Sequence, residues 1–244
     1  MNNHKIPFND LQTVFLDAGN TLLSMDYPWI KEELHGMGIL CNINELKRAE
    51  AAARPLLSSA LERLKSTEDK RTSIYYMGSL LEKLPATSVM SESDRNGIVE
   101  TLLRNLQSPG WAKRFWSHLI PGVSDALEIL KGKGLQLLVV SNSNGIIEEI
   151  MSDLGVREFF DEVVDSHYVG FEKPDQRLFR YALEISGADP EGTLHIGDLY
   201  HVDVKGAWSA GVHALLLDPY DDWKDVDCQR LPDILSFARM MEKM

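Results

Sequence analysis

Polar side chains follow three short apolar runs in the sequence, at the points where those runs stop. Asp17 follows residues 14–16, Ser141 follows residues 135–140, and Asp198 follows residues 194–197. A strand that is buried on both faces has no place for a charge, so we expect these side chains at strand ends, where open α/β sheets bind their ligands. A carboxylate at such a place can bind a hard cation or act as a nucleophile.

The turn that follows Asp17 favours a tight backbone around its carboxylate. Gly19 adopts positive φ without strain, and Asn20 is among the few other residues that tolerate that conformation. A strand-end aspartate can also simply cap a turn, so this segment by itself leaves both interpretations open.

The other candidate residues differ in how strongly their surroundings point to chemistry. Asp198 and Asp203 favour a hard-cation site over a salt bridge, because Lys205 is the only lysine or arginine close to them in sequence. Ser141 opens a predicted helix, where N-capping and anion binding are equally good interpretations. Lys173 precedes a proline, and a loop lysine taken alone is usually a solvated surface residue.

Strands and helices alternate after residue 119, which predicts a doubly wound parallel sheet of the α/β class. Asp17 ends the first strand. The remaining predicted elements are helices at 124–131, 145–154, 176–185, 204–210 and 231–241, and strands at 135–140, 163–164, 193–196 and 212–217.

The segment between the first and second strands has helical spacing of its apolar residues and no strand pattern. It predicts an all-helical insert with helical stretches at 29–34, 43–51, 57–64, 74–84 and 95–106. Because it leaves the sheet directly after Asp17, we expect it to stand over that residue as a lid. Pro-Gly pairs near its end predict a hinge at about residues 107–121.

The overall composition narrows the functional classes. The chain has 244 residues, 44% of them hydrophobic, and a formal net charge of −12. Such a charge argues against nucleic acid or an anionic membrane surface as a partner. The sequence has neither a signal-peptide pattern nor a membrane span, and Cys41 and Cys228 are too far apart to suggest a disulfide framework. We therefore predict a cytoplasmic protein with reduced thiols. The sequence does not indicate its oligomeric state.

Taken in order, these residues resemble the four motifs of the haloacid dehalogenase (HAD) superfamily. The matching residues are Asp17 with Thr21, Ser141, Lys173 with Pro174, and Asp198 with Asp203. The resemblance covers essentially the whole chain and is specific because four motifs occur in the right order. It implies a Rossmann-like core from residues 1–23 and 119–244, and a helical cap from residues 24–118.

The resemblance also implies roles for these residues. Asp17 would be the nucleophile of an aspartyl intermediate, and Ser141 and Lys173 would hold the oxygens of the transferring group. Thr21 and Asn142 would help to bind the substrate. Mg²⁺ would be bound by Asp17, the main-chain carbonyl of Gly19 and Asp198, and Asp203 would orient its water shell. This implies a Mg²⁺-dependent phosphatase of a small phosphorylated metabolite.

The chain departs from the phosphatase pattern at Gly19. The family's phosphatases usually carry a second aspartate there as general acid and base, typically worth about 10² to 10⁴ in rate. Three explanations stay open: the leaving group needs no proton, another residue such as His201 or one from the cap replaces the aspartate, or the protein is not a phosphatase.

Two other functions compete with the phosphatase. A metal-free 2-haloacid dehalogenase is similar at Asp17-Ala18, Thr21-Leu22 and Ser141-Asn142, but leaves the acidic pair of Asp198 and Asp203 without a purpose. A non-catalytic protein that binds a phosphorylated ligand or a protein partner is favoured by Gly19. Phosphonate-cleaving relatives use a cap lysine, and no pattern assigns that role to a lysine of this chain.

Three further residues are expected to be structural. His195 lies inside an apolar run, which indicates a core histidine more than a ligand. Arg54 and Arg71 belong to the helical insert and could reach a substrate from it, but arginines on helix surfaces are mostly exposed, so we predict that both are surface residues.

Overall fold

A six-stranded sheet forms the centre of the larger part of the chain. The structure, a computed structural model, describes residues 5–106 and 115–244. The strands of this sheet are β1 (Thr13–Leu16), β4 (Gln136–Ser141), β5 (Glu162–Asp165), β6 (Thr193–Gly197), β7 (His213–Leu217) and β8 (Gln229–Leu231). They pair in the order β5-β4-β1-β6-β7-β8, and every pair is parallel. The α/β fold class predicted from the sequence is confirmed.

The strand register places the ends of the central strands side by side. Leu16, the last residue of β1, is level with Val139 of β4 and with Ile196 of β6. Asp17 therefore lies beside the carboxyl ends of both neighbours, because parallel strands end at the same edge of a sheet. All four residues of β1 are buried, as its uninterrupted apolar run predicts.

The helices of this part connect the strands. Their bounds are α6 (Val123–Gly132), α7 (Ile147–Asp153), α8 (Ser166–Val169), α9 (Gln176–Ser186), α10 (Lys205–Ser209) and α11 (Ile234–Glu242), with a π-helix at Tyr200–Val204 and 3₁₀ turns at Phe8–Asp10, Arg157–Phe159 and Pro190–Gly192. Phe15 of β1 and Leu138 of β4 share one apolar cluster with Phe179 of α9 and Ala207 of α10. These helices therefore bury one face of the sheet.

The end of the chain differs from the prediction. Residues 231–241 were expected to form one helix, but residues 229–231 form strand β8 and helix α11 begins at Ile234. Asp233 caps that helix, since its side chain accepts a hydrogen bond from the Ser236 N–H. A three-residue edge strand is too short to show an alternating pattern, which explains why the sequence did not reveal it.

Two short segments flank the helical insert. Strand β2 (Leu23–Ser24) pairs with β3 (His118–Leu119) in a two-stranded sheet. The Ile120 N–H also donates to the Leu22 carbonyl at 2.9 Å. The predicted hinge at about 107–121 lies partly in residues 107–114, which are outside the described ranges, and it stays a prediction.

The insert is helical over its described residues. Its helices are α1 (Tyr27–Gly36), α2 (Ile43–Leu64), α3 (Lys70–Lys83), α4 (Pro85–Ser88) and α5 (Glu92–Leu106). The chain divides into two compact units, Met1–Leu23 with Leu119–Met244 and Ser24–His118. That the second unit acts as a cap domain stays a prediction.

Helix α2 is longer than the sequence indicated. The apolar spacing predicts separate stretches at 43–51 and 57–64, yet they form one helix of 22 residues with Pro55 inside it. Proline removes one main-chain hydrogen bond from a helix interior. The buried face continues across it, from Ala53 to Leu57, so packing on both sides of the proline outweighs that local loss.

The prediction that Arg54 is an exposed surface residue is wrong, whereas Arg71 is exposed as expected. Arg54 is 7% exposed and pairs with Glu50, which is fully buried. Its Nε and Nη2 atoms donate to the two carboxylate oxygens at 2.7 and 2.6 Å, and the hydroxyls of Tyr27 and Tyr76 donate to the same carboxylate. A buried arginine needs such a partner, and a search for apolar periodicity cannot detect the pair.

The sequence predicts that the chain has no membrane-spanning helix, and the described helices agree with this. None of them is both long enough and apolar enough to cross a bilayer. The predicted cytoplasmic location stays a prediction.

Candidate active site

The predicted site residues come from neighbouring strand ends. Asp17 directly follows β1, Ser141 is the last residue of β4, and Asp198 directly follows β6. Since β4, β1 and β6 are adjacent in the sheet, the fold brings three distant segments to one edge. All three side chains belong to buried residues.

Lys173 links two of the site carboxylates. Its Nζ donates to Asp17 Oδ1 at 2.6 Å and to Asp203 Oδ1 at 2.7 Å. The residue is only 2% exposed, so it is not the solvated loop lysine that its sequence context alone would suggest. Burial acts to lower the pKa of Lys173, but the charges of Asp17 and Asp203 outweigh it and raise that pKa. Lys173 is therefore a permanent cation in this site.

The two carboxylates on Lys173 have different pKa shifts. Burial raises the pKa of Asp17 against the opposing charge of Lys173, and the neighbouring charge of Asp203 adds to that rise. Asp203 is buried as well, yet Lys173 and His195 hold its pKa below the ordinary range. Within residues 5–106 and 115–244, the Asp203 carboxylate receives several donors and the Asp17 carboxylate receives Lys173 alone, so Asp203 is the better stabilised anion of the pair.

Asp203 is held by three protein groups. Its Oδ1 accepts from Lys173 Nζ and lies 3.0 Å from His195 Nε2, while its Oδ2 accepts from the Leu199 N–H at 2.9 Å. The residue lies in the π-helix that follows the end of β6. A Cβ atom added at Gly197 would stand 2.2 Å from Asp203 Cγ. Glycine at position 197 therefore provides the space that Asp203 occupies.

His195 is a core histidine, as the sequence indicated, but it also supports the site. It is completely buried, and its ring meets Phe179 edge to face with centroids 5.0 Å apart. Burial lowers the pKa of His195, so the neutral ring donates from Nε2 to Asp203. Within the described residues, its Nδ1 has no hydrogen-bond partner.

The turn after Asp17 has the tight backbone that its residues predict. The N–H groups of Leu22 and Leu23 donate to the Ala18 carbonyl, and Asn20 adopts a φ of +54°. This conformation directs the Asn20 side chain to Asp198, where Nδ2 donates to Oδ2 at 3.1 Å. Gly19, the predicted source of a metal-binding carbonyl, lies half-buried in the same turn. Its metal contact stays a prediction.

Thr21 and Ser141 provide buried hydroxyl groups. Thr21 is 1% exposed, and its Oγ1 is without a hydrogen-bond partner among the described residues. Ser141 Oγ makes one weak bond, to the Asn142 carbonyl at 3.3 Å. The helix expected at residues 145–154 begins at Ile147. The contacts that we predicted from Thr21 and Ser141 to a substrate stay predictions.

Asn142 contacts Lys173 directly. Its Nδ2 donates to the Lys173 carbonyl at 2.9 Å, and its Oδ1 accepts from the Lys173 N–H at 2.7 Å. We expected this amide to bind a substrate, and that role stays a prediction. The bonds to Lys173 could not be inferred from two residues 31 positions apart.

Asp17, Asp198 and Asp203 form a cluster that could hold a metal ion. Each offers one carboxylate oxygen within 4.8 Å of the others, and all three residues are buried. Lys173 balances one of the three charges, so two negative charges remain if all are ionised. Carboxylate oxygens are the ligands that Mg²⁺ prefers, and the cluster therefore fits a hard divalent cation in donor type and charge.

Sequence reasoning missed two supporting residues, Asn20 and Gly197. Asn20 was interpreted through its backbone alone, yet its side chain reaches the predicted metal ligand Asp198. A glycine directly before a strand-end aspartate was the available signal for Gly197, because glycine within a strand often marks a close approach. His201, the suggested replacement acid, is half-buried on the π-helix, and its role stays a prediction.

A surface cavity of about 640 Å³ lies in the helical unit, apart from these residues. It is lined by Lys31, Asn42, Ile43, Asn44, Glu45, Arg48, Lys83 and Pro85. None of the predicted site residues lines it, so it adds nothing to the site.

Curated relatives with related names match parts of the chain. The haloacid dehalogenase-like hydrolase domain-containing protein 3 of Bos taurus is 38% identical over 120 residues, covering 49% of this chain and 46% of that protein. A glyceraldehyde 3-phosphate phosphatase of Methanothermobacter thermautotrophicus is 42% identical over 99 residues, covering 40% and 44%. The chain thus spans about half the length of the curated relatives that it matches.

Solved structures share the fold over almost the whole chain. The HAD-hydrolase YfnB from Bacillus subtilis, bound to magnesium, has a TM-score of 0.63 and 22% identity, covering 95% of this chain and 98% of that one. A 2-haloacid dehalogenase from Pseudomonas syringae has a TM-score of 0.55 and 18% identity, covering 96% and 99%. Because phosphatases and dehalogenases both occur among such neighbours, this similarity shows the fold alone.

The family itself follows from a match over most of the chain. The family profile described as haloacid dehalogenase-like hydrolase matches residues 11–211, which include every predicted site residue. The predicted resemblance is confirmed: the chain belongs to the haloacid dehalogenase-like hydrolase family.

Proposed function

We propose that this chain is a Mg²⁺-dependent phosphatase that acts on a small phosphorylated metabolite through an aspartyl-phosphate intermediate at Asp17. The observation that carries the proposal is the buried cluster of Asp17, Asp198 and Asp203, with Lys173 bonded to the first and last of them. A dehalogenase needs no divalent cation. A cluster of three carboxylates that can bind one therefore favours a metal-dependent phosphatase.

Asp17 has the features of a nucleophile. Lys173 occupies its Oδ1, while its Oδ2 accepts no hydrogen bond from the described residues and is available for attack. Burial raises the pKa of Asp17, and the opposing charge of Lys173 favours the ionised form that a nucleophile needs. In the first step Oδ2 forms a bond to phosphorus, and the bond between phosphorus and the leaving oxygen breaks.

The metal would be held mainly by Asp17, Asp198 and the Gly19 carbonyl. Asp203 already accepts three protein donors, so we expect it to act through the metal's water shell. Asn20 would keep Asp198 in orientation through its 3.1 Å bond. When bound, the divalent cation supplies Lewis-acid stabilisation of the negative charge on the phosphoryl oxygens.

Lys173, Ser141 and Thr21 would stabilise the transferring group. Phosphoryl transfer depends chiefly on positioning and charge stabilisation, which an ammonium and two buried hydroxyls can provide. In the second step, water attacks phosphorus, the bond to Asp17 breaks, and inorganic phosphate leaves. Without a carboxylate at position 19, a substrate whose leaving group needs no proton would react best.

The names of the curated relatives agree with this substrate class. Two of them are glyceraldehyde 3-phosphate phosphatase and pyrimidine 5′-nucleotidase. Both names describe phosphate esters of small molecules, which supports a small phosphorylated metabolite as substrate. The partial length of the matches leaves the particular metabolite undefined.

Hydrolysis of p-nitrophenyl phosphate tests the proposal. We expect turnover with Mg²⁺, loss of turnover in EDTA, and loss in Asp17→Asn, which keeps the shape but removes the nucleophilic oxygen. The exposed residue Asp153 provides a control, since Asp153→Asn should keep full activity. Calorimetric titration should show Mg²⁺ binding to the wild type that Asp198→Asn weakens. Turnover that survives Asp17→Asn would contradict the proposal.

Gly19 favours a second function, because dehalogenases of this superfamily also lack an aspartate there. Halide release from 2-chloropropionate in EDTA, with no phosphatase activity, would identify a metal-free dehalogenase. Mg²⁺ binding without turnover on a panel of phosphate esters would identify a non-catalytic binding protein.

A further inference from the structure

The side chain of Asn142 uses both of its functional atoms on a single residue. Its Nδ2 donates to the Lys173 carbonyl at 2.9 Å, and its Oδ1 accepts from the Lys173 N–H at 2.7 Å. One amide group therefore binds the main chain of Lys173 on both sides of its Cα atom. These bonds join the end of β4 to a segment 31 residues later in the sequence.

Lys173 depends on these two bonds. It lies between α8 and α9, outside every strand and helix. Among the described residues, the main-chain N–H and carbonyl of Lys173 bond only to Asn142. Main-chain polar groups in buried segments need partners, and secondary structure does not supply them at this position.

The position of the Lys173 ammonium is narrowly defined. Its Nζ lies 2.6 Å from Asp17 Oδ1 and 2.7 Å from Asp203 Oδ1, so a displacement of about 1 Å directly away from either oxygen would lengthen that bond beyond hydrogen-bond range. Lysine has a flexible side chain of four carbons, which by itself does not hold a point charge in one place. A fixed main chain restricts where that ammonium can reach.

We propose that Asn142 is a positioning residue that fixes the main chain of Lys173 and thereby holds its ammonium between the nucleophile Asp17 and Asp203. This goes beyond the substrate-binding role that the family resemblance implied for Asn142. The inference deepens the proposed function and rests on it wherever turnover is the readout. It acts through Lys173 and needs no contact between Asn142 and the substrate.

Two measurements distinguish positioning from substrate binding. Asn142→Ala removes both bonds to Lys173. If Asn142 positions the ammonium, kcat for p-nitrophenyl phosphate falls by about 10²-fold, the usual cost of a misplacement of about 1 Å. KM then changes much less than kcat, because the charge of Lys173 stabilises the transition state more than the bound substrate. If Asn142 binds the substrate, KM rises and kcat is kept.

A crystal structure of Asn142→Ala provides a readout that does not depend on activity. We expect Lys173 Nζ to lie more than 3.5 Å from Asp17 Oδ1 or from Asp203 Oδ1. Asn144→Ala is the matched control, since Asn144 is an exposed asparagine in the same loop and should leave kcat, KM and the lysine unchanged. Should Asn142→Ala not fold, Asn142→Asp replaces it, because the carboxylate keeps the acceptor for the Lys173 N–H and puts an oxygen that cannot donate opposite the Lys173 carbonyl.

The outcomes separate this inference from the proposed function. A wild type that hydrolyses no phosphate ester refutes the phosphatase and leaves the crystallographic measurement to decide the role of Asn142. An ammonium that stays between both carboxylates in Asn142→Ala overturns the positioning role. A rise in KM with unchanged kcat overturns it as well.

Discussion

Replacing Lys173 with methionine removes the only side-chain cation bonded to Asp17 or Asp203 among the described residues. At 2.6 and 2.7 Å, and with an effective dielectric constant of about 20, each carboxylate attracts the ammonium by about 6 kcal/mol. Moving the ammonium out of water offsets several kcal/mol of that gain. Breaking a buried ion pair from one side typically costs about 3–5 kcal/mol, and we expect Lys173→Met to lower the free energy of unfolding by that amount at pH 8 in EDTA.

The loss of unfolding free energy in Lys173→Met should depend on pH, and the pKa shifts give its direction. Lys173 lowers the pKa values of both Asp17 and Asp203, so in the variant both pKa values rise. A group whose folded-state pKa is raised loses stability as the pH rises through that value. The difference in unfolding free energy between the wild type and Lys173→Met should therefore be largest at pH 8. It should shrink as the pH falls towards 4, where the carboxylates are increasingly protonated.

Urea unfolding followed by circular dichroism at pH 8 and at pH 4.5 measures both effects. Lys133→Met is the matched control, because Lys133 is exposed and its replacement should change the unfolding free energy by less than about 0.5 kcal/mol. A loss below about 1 kcal/mol in Lys173→Met, or one equal at both pH values, would refute the reasoning.

Three more changes test separate contacts. Gly197→Ala places a Cβ 2.2 Å from Asp203 Cγ, so we expect about 1–3 kcal/mol of destabilisation by urea unfolding, and an unchanged midpoint would contradict the clash. Because the pKa of Asp203 is lowered on folding, its charge stabilises the wild type above about pH 4 and that stability is lost at lower pH. Asp203→Asn should flatten this part of the stability curve, and an unchanged slope would disprove the assignment. Arg54→Ala removes the cation from buried Glu50 and should cost about 3–5 kcal/mol, whereas Arg71→Ala, at an exposed pair, should cost less than about 1 kcal/mol; equal effects would contradict the burial argument.

The sheet could be predicted because its buried strands have a recognisable sequence pattern. The run from Val14 to Leu16 and the later apolar runs have the uninterrupted β-rich pattern of strands buried on both faces, and the structure confirms the fold class. The ends of elements were harder to predict than their existence. The sequence predicts two helical stretches where packing holds α2 together across Pro55, and β8 is too short to give a pattern.

The site could be predicted in its residue types and only partly in its contacts. Asp17, Asp198 and Asp203 were selected because strand ends in open sheets collect ligands, and they do form one cluster. The hydrogen-bond partners of Lys173 could not be predicted, because Asn142 lies about 30 residues before it in the chain and Asp203 about 30 residues after it. Such pairings depend on where loops turn, which local pattern does not specify.

The arrangement around β2 and β3 has a consequence for the history of the insert. Because Leu22 and Ile120 are hydrogen-bonded neighbours, the chain leaves the sheet-bearing unit and returns to it at adjacent points. The 95 residues of Ser24–His118 therefore start and end close together, like the two ends of a short hairpin loop. Insertions at such sites are tolerated because they leave the host's own packing untouched. If the proposed function is correct, an exchange of the intervening segment would change the surroundings of a substrate and leave Asp17, Asp198 and Asp203 in place.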